Sequence, residues 1–289
     1  MVRDTSLSGK IYTIVVYTIM VIAVLCCLVP FIYMLALSFS SAKAVVNGRV
    51  FLWPVDFTVD SYIKIFNYPN FFRAYGNTIF YTVAGTAIGL VMTILFAYPL
   101  SKGFLRGRGF IFRLVIFSMY FSGGLIPNYL LVNTLRLTNT VFAMLLPFAI
   151  SQFNLIILIS FFRSLPSEIE EAAIIDGLGY FGILRQIILP LSLPAIATIS
   201  LYIAVFFWND WFYGLIYLNN KLYPVMLYLR NIVKGIASAD GGAGAAEKNT
   251  IEITIKAAVI ISSTLPIIAL YPFLQRYFVK GLTVGSVKG

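Results

Sequence analysis

The chain has 289 residues, 60% of them hydrophobic and only 11% charged, with a net charge of +10 and no histidine. A soluble domain is about half apolar and about a quarter charged, so this composition excludes an ordinary soluble protein and a disordered one. The two cysteines, Cys26 and Cys27, are adjacent and cannot staple distant parts of the chain; the positive charge points to flanks facing anionic lipid rather than to nucleic acid.

A helix that crosses a bilayer needs about 20 apolar residues in a row. Six segments qualify: Ile11 to Ser38, Ala74 to Leu100, Phe110 to Leu131, Thr140 to Phe162, Pro194 to Leu218 and Ile255 to Gln275. Together these 146 residues carry three charged side chains, Arg113, Asp210 and Lys256, whereas the other 143 residues carry 29. Charge has been sorted out of the segments, as a hydrocarbon solvent requires. The expected fold is an all-α membrane protein with six transmembrane helices, residues 1–289 forming a single transmembrane domain. The first segment follows a basic flank, Arg3 and Lys10, but is longer than a signal core, so it reads as an uncleaved anchor. Gly85 and Gly89 in the second segment permit close helix approach.

Six spans put both termini on one side. With the termini inside, 11 of the 21 Lys and Arg are inside, so the raw count is even. The short connection from Ser101 to Arg113 nevertheless holds four of them, and dense short loops face the cytoplasm. Both termini are therefore expected to be cytoplasmic. The outer piece from Asn219 contains a flexible tip, Ala237 to Ala246, which reads either as a mobile probe or as a slack loop.

Several chemistries are missing. Without histidine the commonest proton shuttle and metal ligand is gone. No cysteine or acidic cluster suggests a metal, and Gly241 to Gly244 lacks the Lys-Ser/Thr ending of a phosphate loop. One deep acid, Asp210, is fewer than a proton-coupled pump needs. The chain is expected to be non-catalytic and to bind no cofactor of its own.

The inner loop at about 164–193 is too polar to span and too patterned to be slack. Ser167 with Glu170 fits a capping box, Pro166 suits a helix start, and Glu168, Glu170 and Glu171 favour a first turn. Gly177 and Gly179 break the helix; a second short helix runs through Phe181 to Ile188 and stops at Pro190. Ile174, Leu178, Phe181 and Leu184 form an apolar ridge at helical spacing. Such a helix–turn–helix is either a docking element or an amphipathic element lying on the bilayer.

The loop resembles a known family. Glu171-Ala172-Ala173, then Gly177 after three residues, then Ile187-x-Leu189-Pro190 after nine more, is similar to the EAA loop of binding-protein-dependent ABC importer permeases. Ala97 to Ser101 resembles that family's second-span exit, Trp208-Asn209-Asp210-Trp211 the sugar-permease pattern, and Tyr277 to Gly289 the carbohydrate-permease tail. Phe121 to Pro127 and Phe153 to Leu158 resemble a subgroup that imports complex oligosaccharides. The resemblance implies a type I importer fold, a bacterial cell-membrane location and a partner set: a second permease chain giving a heterodimer, two ATPase subunits that hold the ATP and magnesium, and an external solute-binding protein. It implies coupling residues at Glu170, Glu171, Ala172, Ala173, Asp176, Gly177, Leu178, Ile187, Leu189 and Pro190. The cargo implied is an oligosaccharide; another small solute, or a secondary carrier, is the alternative.

For the solute path the candidates are Gln152 and Asn154 in the fourth segment and Trp208, Asn209, Asp210, Trp211 and Tyr213 in the fifth. Aromatic faces stack on sugar rings, and amide or carboxylate groups bond hydroxyls. Asp210, Tyr213, Gly214 and Tyr217 are expected on one helical face. The competing reading makes the tryptophans interface anchors and Asp210 a structural partner of the second permease.

Overall fold

A computed structural model describes residues 6–67, 69–238 and 253–269. Among them the chain is helical, with one isolated β-bridge between Ser40 and Phe57. The helices are α1 (Leu7–Ser38), α2 (Ala42–Val46), α3 (Asp60–Phe66), α4 (Phe71–Ser101), α5 (Arg108–Tyr120), α6 (Leu125–Thr134), α7 (Phe142–Leu145), α8 (Gln152–Ser164) and α9 (Ser167–Ile175). They continue with α10 (Tyr180–Leu191), α11 (Leu193–Asn209), α12 (Phe212–Tyr217), α13 (Val225–Ser238) and α14 (Ile253–Ala269). The tail from Tyr277 and most of the tip after Ala237 lie outside the described residues.

The described residues pack as two compact units, one taking those up to Pro69 with those between Asn231 and Leu265, the other built on Asn70–Arg230. In the first, α1 starts at Ser6, whose hydroxyl accepts from the Gly9 amide at 3.1 Å. From Ser8 to Leu35 it has no buried residue although it is apolar all round, as a helix solvated by lipid must be. Its end packs Ala36 and Leu37 with Ala44, Val50 and Ala257, and Ser38 bonds the Tyr62 hydroxyl at 2.8 Å.

In the second unit α4 is the central element, packed on α11 and α8. A Cβ on Gly85 would lie 2.3 Å from the Phe207 ring, and one on Gly89 3.3 Å from Ile203. The two glycines therefore let α11 press its side chains onto the α4 backbone, the close approach their spacing predicts.

The expected spans differ in continuity. Among the described residues, α1 and α4 are the single helices long and apolar enough to cross a membrane; two bent pairs add up to two more. The third expected span is broken at Phe121–Gly124, with α5 and α6 bent by 114°. Gly123 and Gly124 are poor helix formers, Gly124 takes a φ of +89°, and the Ser122 hydroxyl captures the Gly124 amide at 3.2 Å. The fourth is interrupted between α7 and α8, and the fifth breaks at Asp210–Trp211 into α11 and α12. Of the sixth, the described part is α14.

Substituting Gly85 by Ala should lower the melting temperature of the detergent-solubilised protein, by an overpacking cost of about 1–3 kcal/mol. Gly76, which has nothing within 4 Å of its Cβ direction, should take Ala without loss. Equal melting temperatures for the two variants would contradict the close contact of α4 with α11.

Candidate functional site

The α9–α10 segment is built by its turn. Gly177 has φ +83°, a left-handed conformation that only glycine adopts freely. Its amide donates to Ile174 O and that of Leu178 to Ala173 O, both at 3.0 Å, which closes the end of α9 in a Schellman motif. The reversal throws the chain straight into α10, capped by the extended Gly179.

Two local expectations are corrected. Ser167 is the first residue of α9 rather than its cap, Pro166 caps without a side-chain bond, and Glu170 does not reach back to close a capping box. Its carboxylate instead takes an ion pair from Lys102 at the end of α4. Nor does Pro190 stop the second helix. α10 runs to Leu191 through a π turn over Leu184–Ile188, where Leu189 N–H reaches back five residues to Leu184 O. The wider turn absorbs the donor that proline lacks. The break comes two residues later, at Ser192, where α10 and α11 meet at 82°.

The apolar ridge divides. Leu184 is buried and Leu178 half-buried, while Ile174, Ile175 and Phe181 are exposed, Ile175 at 86%. Among the coupling candidates Ala173 is buried, Ile187 and Leu189 are half-buried, and Glu171, Ala172, Asp176, Gly177 and Pro190 are exposed. Glu170 is half-buried against Lys102. The segment thus presents an apolar and acidic surface held by a rigid turn.

A second feature is a cavity of about 440 Å3 between α8 and α11, lined by Phe148, Ser151, Gln152, Phe153, Asn154, Tyr202, Ile203, Phe206 and Tyr213 among others. Ser151 caps α8 by accepting from the Asn154 amide at 3.4 Å, which sets Gln152 and Asn154 at the helix start. Phe148 packs on Tyr213 at 4.4 Å and on Phe206 at 5.1 Å, so the wall is aromatic with a few amide and hydroxyl groups. That mixture suits a polyhydroxylated ring.

The cavity gathers Gln152, Asn154 and Tyr213 but not the rest of the expected path. Trp208 is buried with its ring 6.3 Å from Tyr75. Asn209 is exposed and donates to Val205 O at 3.0 Å. Trp211 lies under the Arg230 guanidinium at 3.8 Å. Asp210, 8% exposed, accepts from the Tyr213 and Gly214 amides at 3.2 and 3.0 Å. It therefore holds the first-turn amides of α12 from the position before the Trp211 cap, and because the helix breaks there, Asp210 does not share a helical face with Tyr213, Gly214 and Tyr217. Sequence does not single out Phe148, Ser151, Tyr202 and Phe206, and marks Phe153 as the start of a family-like stretch rather than as a path residue; the four-residue spacing of Tyr202 and Phe206 on α11 is the signal that points to that pair.

The segment beyond α12 is held by α4. Asn77 donates to Lys221 O and Tyr223 O at 3.0 and 3.1 Å, the Tyr81 hydroxyl donates to Leu222 O at 2.9 Å, and the Val225 amide donates to Thr78 Oγ1 at 2.7 Å. The Pro224 ring leaves no room for a Cβ on Gly214.

No protein-family model matches the chain. Over 265 residues it is 46% identical to Protein LplC of Bacillus subtilis, covering 91% of this chain and 90% of that one. It is 41% identical over 289 residues to the polygalacturonan/rhamnogalacturonan transport system permease protein YtcP of the same organism, covering 98% and 100%. Among solved structures it is similar, with a TM-score of 0.83 and 37% identity, to a chain of a bacterial ABC transporter involved in the import of the acidic polysaccharide alginate, covering 94% of this chain and 98% of that one.

The cap yields a test. Asp210→Ala should cost about 1 kcal/mol of stability by leaving the α12 amides open, while Asp210→Asn keeps one of the two acceptor oxygens and should keep transport with a melting temperature between those of wild type and the Ala variant. Loss of transport by the Asn variant in an intact, stable complex would instead put the carboxylate on the solute.

Proposed function

The chain belongs to the sugar permeases of the ABC transporters, and from that membership we propose that it is one of two membrane subunits through which oligosaccharides released by an external binding protein enter the cytoplasm. It is an integral membrane transport component. The observation that carries the reading is the α9–α10 pair, where Gly177 forces a tight reversal and leaves Glu171, Ile174, Ile175, Asp176 and Phe181 outward. Such a surface fits a cleft on an ATPase subunit. ATP and magnesium then bind the ATPases rather than this chain, and both termini lie on the cytoplasmic side with that surface.

In this mechanism ATP closes the ATPase dimer, the docked α9–α10 pairs move with it, and the cavity opens outward; hydrolysis returns it inward. Glu171 and Asp176 meet basic groups of the ATPase, and Ile174 and Phe181 fill its apolar cleft. Phe153, Tyr202, Phe206 and Tyr213 offer ring faces to the sugar while Gln152 and Asn154 bond its hydroxyls.

The cargo is further read as acidic. The outer stretches 39–73, 132–139 and 219–254 carry nine Lys or Arg, among them Arg73, Arg136, Lys221 and Arg230, against five acids. An outward face of that sign departs from the usual inward bias of positive charge. It concentrates anions at the entrance, and it agrees with the polygalacturonan/rhamnogalacturonan named for one relative and the acidic polysaccharide alginate named for the similar solved structure.

Gly177→Val forces a β-branched side chain into left-handed backbone, a strain of about 1–2 kcal/mol at the turn. Phe181→Asp places a charge in the apolar cleft. Each variant should insert normally, lose co-purifying ATPase and lose uptake. ATPase retention and wild-type uptake by Phe181→Asp would remove the docking assignment.

A further inference from the structure

The α9–α10 segment is joined to the chain through α8 and, across the Ser192 bend, through α11. The structure adds a third attachment that no motif announces. At the end of α4, Lys102 forms an ion pair with Glu170, in the first turn of α9. Both side chains are largely buried, 12% and 17% exposed, and the Lys102 ammonium also lies 4.9 Å from the Tyr98 ring centroid. Two residues on, Phe104 stacks on Tyr180, the first residue of α10, with centroids 4.7 Å apart. Arg163, at the end of α8, donates to Leu100 O at 3.1 Å, filling one of the carbonyls that a helix end leaves open, and covers the Phe112 ring of α5 at 5.3 Å. The turn after α4 therefore holds α9 at one point and α10 at another.

One contact passes a push; two contacts on successive helices also pass a rotation. The charges suit their places, a cation at the end of α4 and an anion at the start of α9, so the helix dipoles reinforce the pair. Breaking it would strand a charge in a poorly solvated site. α4 in turn presses Gly85 and Gly89 against Phe207 and Ile203 of α11, and Ile203 lines the aromatic cavity. A continuous packed route thus runs from the exposed loop to the cavity without passing along the backbone of α10.

We propose that Lys102 and Glu170 are positioning residues that fasten α4 to the coupling segment, so that the two move as one body through the transport cycle and α4 delivers the movement to the cavity wall. The inference rests on the reading of α9–α10 as the ATPase-docking element.

The test uses the assembled importer in proteoliposomes, with Cys26→Ala and Cys27→Ala as background and Lys102→Cys with Glu170→Cys added. Unbridged, this variant should keep its ATPase subunits and the hydrolysis they perform while uptake falls by about tenfold, because nothing then fastens α4 to α9. Bridging the two cysteines with a short bis-methanethiosulfonate should restore uptake to within about twofold, since a body that moves as a unit tolerates an internal staple. Wild-type uptake by the unbridged variant, or uptake that stays low after bridging, overturns the proposal. Loss of ATPase from the unbridged complex also overturns it, because the pair would then shape the docking surface rather than link it to α4. Failure of the docking reading itself appears separately, as ATPase retention and wild-type uptake by Phe181→Asp.

Discussion

Inside hydrocarbon a backbone amide or carbonyl has no water to turn to, so each place where this chain leaves the helix depends on a partner brought from elsewhere in the protein. Asp210 supplies that partner for the start of α12 by taking the Tyr213 and Gly214 amides. Beyond the apolar segments, Asn77, Thr78 and Tyr81 hold the outer stretch 221–225 in the same way, and Arg163 holds Leu100 O at the end of α4. These polar side chains make the irregular segments affordable, and the irregular segments create the cavity between α8 and α11 and the turn that carries α9 and α10. A bundle of unbroken helices would have neither.

The same side chains make α4 the hub of its unit. Its glycine face receives α11, its first turns hold the segment after α12, and its last residue contacts reach α8, α9 and α10. A helix tied at both ends and packed along its length transmits displacement instead of absorbing it, because close-packed interiors deform little. With α9–α10 docked as proposed, a local movement at the Gly177 turn would reach the aromatic wall through packed side chains.

Much of this was legible in the sequence. Charge exclusion located the apolar segments, and Glu171-Ala172-Ala173 with Gly177 located the loop, because both signals are strictly local. The left-handed Gly177 and the Gly85–Gly89 contact follow directly from what glycine permits. Continuity was not legible. A run such as Phe110 to Leu131 is apolar enough to span, but composition does not register that Ser122 captures an amide beside two glycines. Glu170 was read as a capping or coupling residue because its neighbours in sequence suggested it, while its partner, Lys102, lies 68 residues away. Asp210 drew attention as an exceptional buried acid; the reason for its burial, two amides of the following turn, appears only in the geometry. The aromatic cavity was hidden because Phe148, Tyr202 and Phe206 are unremarkable in a chain with 16% aromatic residues.

The central claim is that this chain moves an oligosaccharide only as part of an assembly driven by ATP and fed by a binding protein. The most direct measurement is uptake of a labelled acidic oligosaccharide into proteoliposomes holding the full complex, with ATP inside and the loaded binding protein outside. Uptake should require the permease pair, the ATPases, ATP and the binding protein, and should be indifferent to ion gradients. Uptake by the permease chain alone along a sodium or proton gradient would contradict the account and make the protein a secondary carrier.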